Sequence, residues 1–354
     1  MHAVIIGTGS CIPEVKVPNS AFIDHILFER DGEKNFKGMA GVIDKFQTIT
    51  GISERRYAKP DQSASDLGVI AAENAIRDSG IDRETLDYII VAHNFGDVMP
   101  DSNRSSLVPT LASRVKAMLK ISNPDCVAYD IPFGCPGWLE GLIQANIFIR
   151  SGEAKRCLVV GTETLSRVID PHDKDSMIYS DGSGAVVVEG REGDSGIVAW
   201  KTQTHAYGLT ELLHMGSSSS PFVKDRADLY LKMNGRKVYE FALNHVPIVV
   251  KSVLDKSGTH PNAIKRILIH QANHKMDTAI VERLFKLYDI HEVPENIMPM
   301  TIGWLGNSSV ATLPTLLDLI LKGEMPGYEI EKGDKIIFAS VGAGMNINAV
   351  LYQF

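Results

Sequence analysis

Cysteine is scarce in this chain. Four of 354 residues are cysteine, Cys11, Cys126, Cys135 and Cys157, and none pair as CxxC. That excludes a disulfide-stapled scaffold and a zinc-ribbon pattern. No apolar run approaches the roughly 20 residues that cross a bilayer. The N-terminus has no basic stretch leading into an apolar one, so no export signal is expected and the expected setting is the reducing cytoplasm. Positive charge is also short: 36 Lys and Arg face 43 Asp and Glu, a net charge of −7. This balance does not favour wholesale binding to nucleic acid or an anionic membrane surface, so an acidic partner would need a local basic patch.

What is present is a core-forming composition, 44% hydrophobic and 22% charged. At roughly 150 residues per domain, it is long enough for two domains or two fused halves. Short apolar strands alternate with helical stretches. Residues 2–9 read as a strand entering a turn. Ser63–Ser79 reads as a helix, with Ser65 and Asp66 as its start signal and Gly80 at its end. The apolar runs Leu86–Ala92 and Arg156–Val160 read as strands buried on both faces, and Ser183–Glu189 as a further strand. The alternation predicts an α/β class.

An internal near-repeat sharpens this reading. The helix-turn-strand stretch from Ser79 to His93 lies over Ser257 to Gln271, 178 positions on, and Arg156–Val160 lies over Lys335–Ala339, 179 positions on. Matching offsets predict a duplicated chain: an N-terminal half over 1–190, a polar connecting or cap region over 191–230 that includes Ser217–Ser220, and a C-terminal half over 231–354.

Three residues stand at places where chemistry is done. Cys135 lies between a strand (Cys126–Ile131) and a helix (Trp138–Arg150, with Pro136 in its first turn). A cysteine there meets the helix N-terminus, whose free N–H groups favour a thiolate, and Gly134 and Gly137 allow close approach. Cys126 and Cys157 read as structural. His270 ends the strand Arg266–Ile269 at the carboxyl edge of a sheet, where site residues collect. His274 follows four residues later, but a HExxH glutamate is absent, so no metal site is expected. Asn307 opens the helix Ser308–Lys322, either as its N-cap or as a site residue. When the helix-ending glycines Gly152 and Gly323 are aligned, Cys135 falls at position 306, beside it. The turn Val341–Met345 can aim N–H groups at an oxyanion. Gly7-Thr-Gly9 is too short for a dinucleotide fingerprint, and Asp181–Gly184 reads as a structural turn.

Cys135 in Phe-Gly-Cys-Pro-Gly-Trp, His270 in His-Gln-Ala-Asn and Asn307 in Gly-Asn-Ser-Ser-Val-Ala resemble the β-ketoacyl carrier-protein synthase III family of the thiolase superfamily. Thr50–Arg56, Asp170-Pro, Ser180–Val186 and the Gly-Ala-Gly-Met turn match as well, in order, over nearly the whole chain. The resemblance implies a thiolase-like fold: two stacked five-stranded βαβαβαββ-type halves in alternating α-β-α-β-α layers, assembled as a homodimer. It implies Claisen condensation without metal or redox cofactor. Cys135 takes an acyl group from a carrier-protein or coenzyme A thioester. The N–H groups of Cys135 and Ala343 form the oxyanion hole. His270 and Asn307 hold the carbonyl of a malonyl- or β-ketoacyl-type second substrate. Arg167, Trp138 and Asn273 are implied to face substrate or pantetheine. An acidic acyl carrier protein is the implied partner, docking on Lys275, Arg236, Lys237, Lys265 and Arg266.

The sequence also departs from the family pattern. Lys45 and Ile49 stand where a tryptophan and an arginine commonly hold adenine, the stretches 22–47 and 94–108 are long, and Phe133 and Trp138 flank the cysteine turn. These changes imply an altered acyl tunnel and resemble a secondary-metabolism branch of dialkylresorcinol-type ketosynthases. Two other readings stay open on residues alone. One is acyl transfer from Cys135 to oxygen or nitrogen. The other is a non-catalytic partner subunit in a ketosynthase heterodimer.

Overall fold

The computed structural model describes residues 1–28, 38–100, 102–223 and 228–354. The first half of the chain contributes β1 (His2–Cys11), α1 (Met39–Thr50), α2 (Ala64–Ser79), β2 (Tyr88–Ala92), β3 (Val127–Ile131), α3 (Gly137–Ser151), β4 (Arg156–Thr164) and β5 (Asp181–Arg191). Its five strands lie in the order β1-β5-β4-β2-β3. β5 runs antiparallel to both β1 and β4, and β4, β2 and β3 run parallel.

After β6 (Gly196–Thr204), a hairpin of β7 (Leu213–Gly216) and β8 (Tyr230–Met233) leads to α4 (Gly235–Ser257), β9 (Ile264–Ile269), α5 (His274–Lys286), α6 (Thr312–Leu321), β10 (Lys335–Gly342) and β11 (Asn346–Gln353). The second sheet, β6-β11-β10-β9, repeats the first: an antiparallel edge, an antiparallel neighbour, then a parallel pair. It has four strands among the described residues, one fewer than the resemblance implies. In the fifth place a single bond runs from the Ile267 amide to the Ile297 carbonyl at 2.7 Å, too little pairing to extend a strand.

Helix ends follow local chemistry. α2 starts at a capping box, in which the Ser63 hydroxyl accepts from the Asp66 amide and the Asp66 carboxylate accepts from the Ser63 amide, two orphan donors met reciprocally. The start signal is therefore Ser63 with Asp66, two residues ahead of Ser65. Apolar burial then stacks the layers. Trp138, Leu139 and Leu142 of α3 and Leu313, Leu316 and Leu317 of α6 share one core with Val159 and Val186 of the first sheet and Phe338 and Val350 of the second. The two helices thus form the central layer. α2 covers the outer face of the first sheet, and α4 and α5 the outer face of the second. The result is α-β-α-β-α.

Two segments differ from their sequence reading. Asp181–Gly184 is strand rather than turn, because it pairs on both sides, with Glu163 opposite Gly182 and Cys11 opposite Ser183. Part of the 191–230 stretch is strand as well, since β6 is the edge of the second sheet. Residues 29–37, 101 and 224–227, which fall within the long stretches and the polar connector, lie outside the described residues.

Candidate functional site

The central helices bring the site together. Cys135 stands two residues before α3, and no side chain caps that helix. Asn307 precedes α6, but it does not cap it: a short 3-10 turn, Ser309–Ala311, intervenes. The Asn307 backbone instead stitches to the first half, its amide donating to the Ile178 carbonyl and its carbonyl accepting from the Ser180 amide, both at 2.9 Å. Its side-chain Oδ1 accepts from the Ser309 amide at 2.8 Å, which leaves the Nδ2 end to donate elsewhere.

The turn after β10 closes on the cysteine. Gly134 has φ 70°, and a Cβ there would sit 2.8 Å from the Ala343 amide nitrogen. A Cβ on Gly342 would lie 2.6 Å from the Cys135 amide nitrogen. Either would overlap backbone, so glycine at both positions lets the Cys135 and Ala343 turns touch.

Cys135, Ser309 and Ala343 line a cavity of about 190 Å³, with Phe95 and Leu165 from the first half. The β7–β8 hairpin supplies another wall through Leu213, Met215 and Leu231. That hairpin is pinned from below: Lys232 on β8 pairs with the fully buried Asp170 and, at 3.2 Å, with Asp173. A second cavity, about 410 Å³, has apolar walls that include Val42, Phe46 and Met276, with Lys45, Lys174 and Arg236 among its lining.

The electrostatics correct one expectation. An uncapped helix start favours thiolate, but burial outweighs it and pushes the Cys135 thiol up to about 11. The Ser309 hydroxyl opposes this shift, and Glu163 adds to it. The resting group is therefore the thiol. Burial pushes the His270 imidazole down to about 4, opposed by a hydrogen bond with the Ser309 backbone. His270 is accordingly neutral near pH 7, and its Nδ1 is buried with no partner among the described residues. Its backbone amide donates to the Ala339 carbonyl at 2.8 Å, which carries the β9–β10 pairing one residue beyond the strand.

The other residues singled out in the sequence are dispersed. Trp138 is fully buried in the central core, its ring edge-on to Phe338 at 5.9 Å, so it packs the layers and does not face a substrate. The Arg167 guanidinium is spent on the carbonyls of Val98, Lys59 and Gln62, where it knits loops together. Asn273 caps α5 through the Met276 amide and lines the larger cavity. Arg266 is 9% exposed, donates to the Gly327 carbonyl and lies over the Tyr328 ring, so it is a packing residue. Lys265 is exposed but sits at the far end of β9 from His270, about 16 Å along the strand. Arg236, Lys237 and Lys275 are exposed at the first turns of α4 and α5, and only these three keep to the side of the larger cavity.

Three residues escaped the sequence reading: Ser309, Asn94 and Glu163. Glu163 had a signal, since it is the carboxylate that follows the apolar run Cys157–Val160 in strand β4, and it is 1% exposed. Asn94 had none.

Comparison with known proteins places this geometry. The family model described as 3-oxoacyl-[acyl-carrier-protein (ACP)] synthase III matches residues 129–208, and its C-terminal counterpart matches 254–354. The chain is 31% identical to β-ketoacyl-[acyl-carrier-protein] synthase III 1 of Vibrio vulnificus over the full length of both. The chain belongs to this family. It is accordingly a condensing enzyme of the acyltransferase class. The solved structure of the Aquifex aeolicus synthase III superposes with a TM-score of 0.81 at 31% identity, covering 99% of this chain and all of that one. The priming β-ketosynthase of the R1128 polyketide pathway gives 0.82 at 26% identity, covering all of this chain and 96% of that one. Among the described residues no helix is long and apolar enough to cross a membrane.

Proposed function

We propose that Cys135, His270 and Asn307 carry a Claisen condensation between a Cys135-bound acyl group and a carrier-protein thioester. One observation supports this most: the thiol of Cys135 lies in a cavity wall with the Ser309 hydroxyl on its sulfur, and Ser309 is held in turn by Asn307 and lies against His270. The Cys135 sulfur attacks the thioester carbonyl once its proton has left, and the donor thiolate that departs takes up a proton in its place. The touching turns bring the N–H groups of Cys135 and Ala343 to the acyl oxygen. With the acyl group in place, His270 and the free Nδ2 of Asn307 donate to the second thioester's carbonyl. They stabilise the enolate left when carboxylate departs, and that carbanion attacks the acyl-cysteine. The pantetheine arm of a carrier protein enters through the apolar 410 Å³ cavity, while the exposed Arg236, Lys237 and Lys275 meet the acidic carrier. Exposed Met99, Leu107 and Val108 support a homodimer, to be checked by analytical ultracentrifugation.

Intact-protein mass after incubation with acyl-carrier-protein and acyl-coenzyme A panels tests the reading. Wild type gains an acyl mass and Cys135→Ser does not. The donor and chain that load then narrow the substrate. No adduct with any donor overturns it. Decarboxylation of a malonyl thioester without primer separates condensation from acyl transfer to oxygen or nitrogen, because only the condensing site makes the enolate.

A further inference from the structure

Behind the nucleophile runs a buried polar chain that the proposed condensation does not use. Glu163 on β4 is 1% exposed and accepts from both the backbone amide, at 2.7 Å, and the side-chain Nδ2 of Asn94. The second hydrogen of that Nδ2 goes to the Ser309 Oγ at 2.9 Å. With its oxygen occupied as an acceptor, Ser309 turns its own proton to the Cys135 Sγ at 3.2 Å. Ser309 reaches back this way because its backbone is left-handed, φ 53°, a conformation costly to a residue with a Cβ. The Asn307 side chain holds that conformation through the Ser309 amide.

Each link has one direction. The Glu163 Oε1 already accepts from the Asn94 backbone amide, which can only donate, so that oxygen serves as an acceptor and Asn94 presents its NH₂ end to it. An amide nitrogen can only donate, so Ser309 accepts from it. One lone pair of the hydroxyl is then taken, and an ionised Cys135 sulfur can only accept, so the single Ser309 proton goes to it. Without Asn94 the hydroxyl would lose the partner that fixes its rotation.

We infer that Ser309 is a positioning residue for Cys135, its hydroxyl aimed as a donor to the thiolate by Asn94, which Glu163 orients. This inference rests on Cys135 being the nucleophile. Once it ionises, above about pH 8, Glu163 also acts through space, its charge opposing a thiolate, so in that range the anchor of the chain and its tip push Cys135 in opposite directions. The other titratable groups facing this cluster are Asp181 beside Glu163, Tyr179 and His214 in the cavity wall, and His270 against Ser309.

The test is the pH profile of Cys135 alkylation by iodoacetamide, followed by peptide mass, with thermal melting to confirm folding. Ser309→Ala and Asn94→Leu are each expected to move the profile to higher pH and slow alkylation at pH 8 about tenfold, the weight of one hydrogen bond to a charged group. The double variant is expected to be no slower than Ser309→Ala, because Asn94 acts through Ser309. Glu163→Gln keeps an acceptor for Asn94 but removes the charge, so it is expected to move the profile the other way, to lower pH. A merely structural role would slow all three. An unchanged profile in Asn94→Leu, effects that multiply in the double variant, or a slower Glu163→Gln overturns the inference. Failure of acyl loading with this alkylation pattern intact would instead count against the proposed condensation and leave the relay standing.

Discussion

The two central helices begin in ways that are equivalent by topology and different in detail. Before α3 the chain turns directly into the helix, so Cys135 stands at uncapped N–H groups. Before α6 an extra 3-10 turn is inserted, and Asn307 turns its side-chain Oδ1 onto the Ser309 amide. The first start presents the proposed nucleophile. The second presents donors, one a free amide and one a hydroxyl bent back across the layer to the sulfur. A duplicated scaffold thus supplies two inward-facing helix starts. A few residues of backbone geometry separate their proposed tasks: attack at one, stabilisation of developing charge at the other.

Breaking each start separately tests that division most strongly. Cys135→Ala is expected to abolish acyl loading, while Asn307→Ala still loads, slowed at most about tenfold through the loosened Ser309, and loses about 10²–10³ in condensation rate, the scale of one oxyanion donor. Intact mass and a coupled condensation assay read the two steps. If Asn307→Ala blocks loading as well, the division of labour fails.

The shared core gives the next effect. Trp138→Ala empties a fully buried site between the sheets and is expected to cost about 3–5 kcal/mol in denaturant unfolding. A loss under about 1 kcal/mol would mean that the central layer does not lock the two helix starts together.

Acidity sharpens the comparison further, since the first half holds the misplaced carboxyl. Burial raises Glu163 from 4.5 to about 8. Its contribution to stability is therefore fully present below pH 4.5 and is lost as pH rises through 8, because the unfolded state gives up that proton first. Glu163→Gln is expected to gain in melting temperature relative to wild type from pH 5 to 9, and a constant difference would contradict the buried neutral acid. The smallest effect is at the surface. Lys275→Glu is expected to weaken turnover several-fold with carrier-bound substrate and to spare small thioester analogues. Equal loss with both would remove the carrier from that face.

Much of the frame was legible in the sequence, for reasons that can be named. Continuous apolar runs such as 86–92 and 156–160 mark strands covered on both faces, and the repeat at matched offsets pointed to a duplicated frame. The helix over Ser63–Ser79 was read at its right place but its capping residue was set at Ser65 instead of Ser63, since several polar residues could cap and only the backbone turn selects one. Asp181–Gly184 misled because glycine and aspartate signal turns locally, whereas two neighbouring strands hold this stretch extended. Trp138 and Arg266 misled for a related reason: a residue near a motif in sequence can point away from it across a layer.

By itself the sequence determined the α/β class, the duplication and the three residue types at the turns, because hydrophobic period, glycine placement and residue chemistry are local properties. Only the tertiary structure decided what surrounds the sulfur. Burial makes Cys135 a thiol, and Glu163, Asn94 and Ser309 meet there from three separate segments. The ionisation of Cys135 and the direction of each hydrogen bond depend on groups far away in the chain, and folding alone brings those groups within reach.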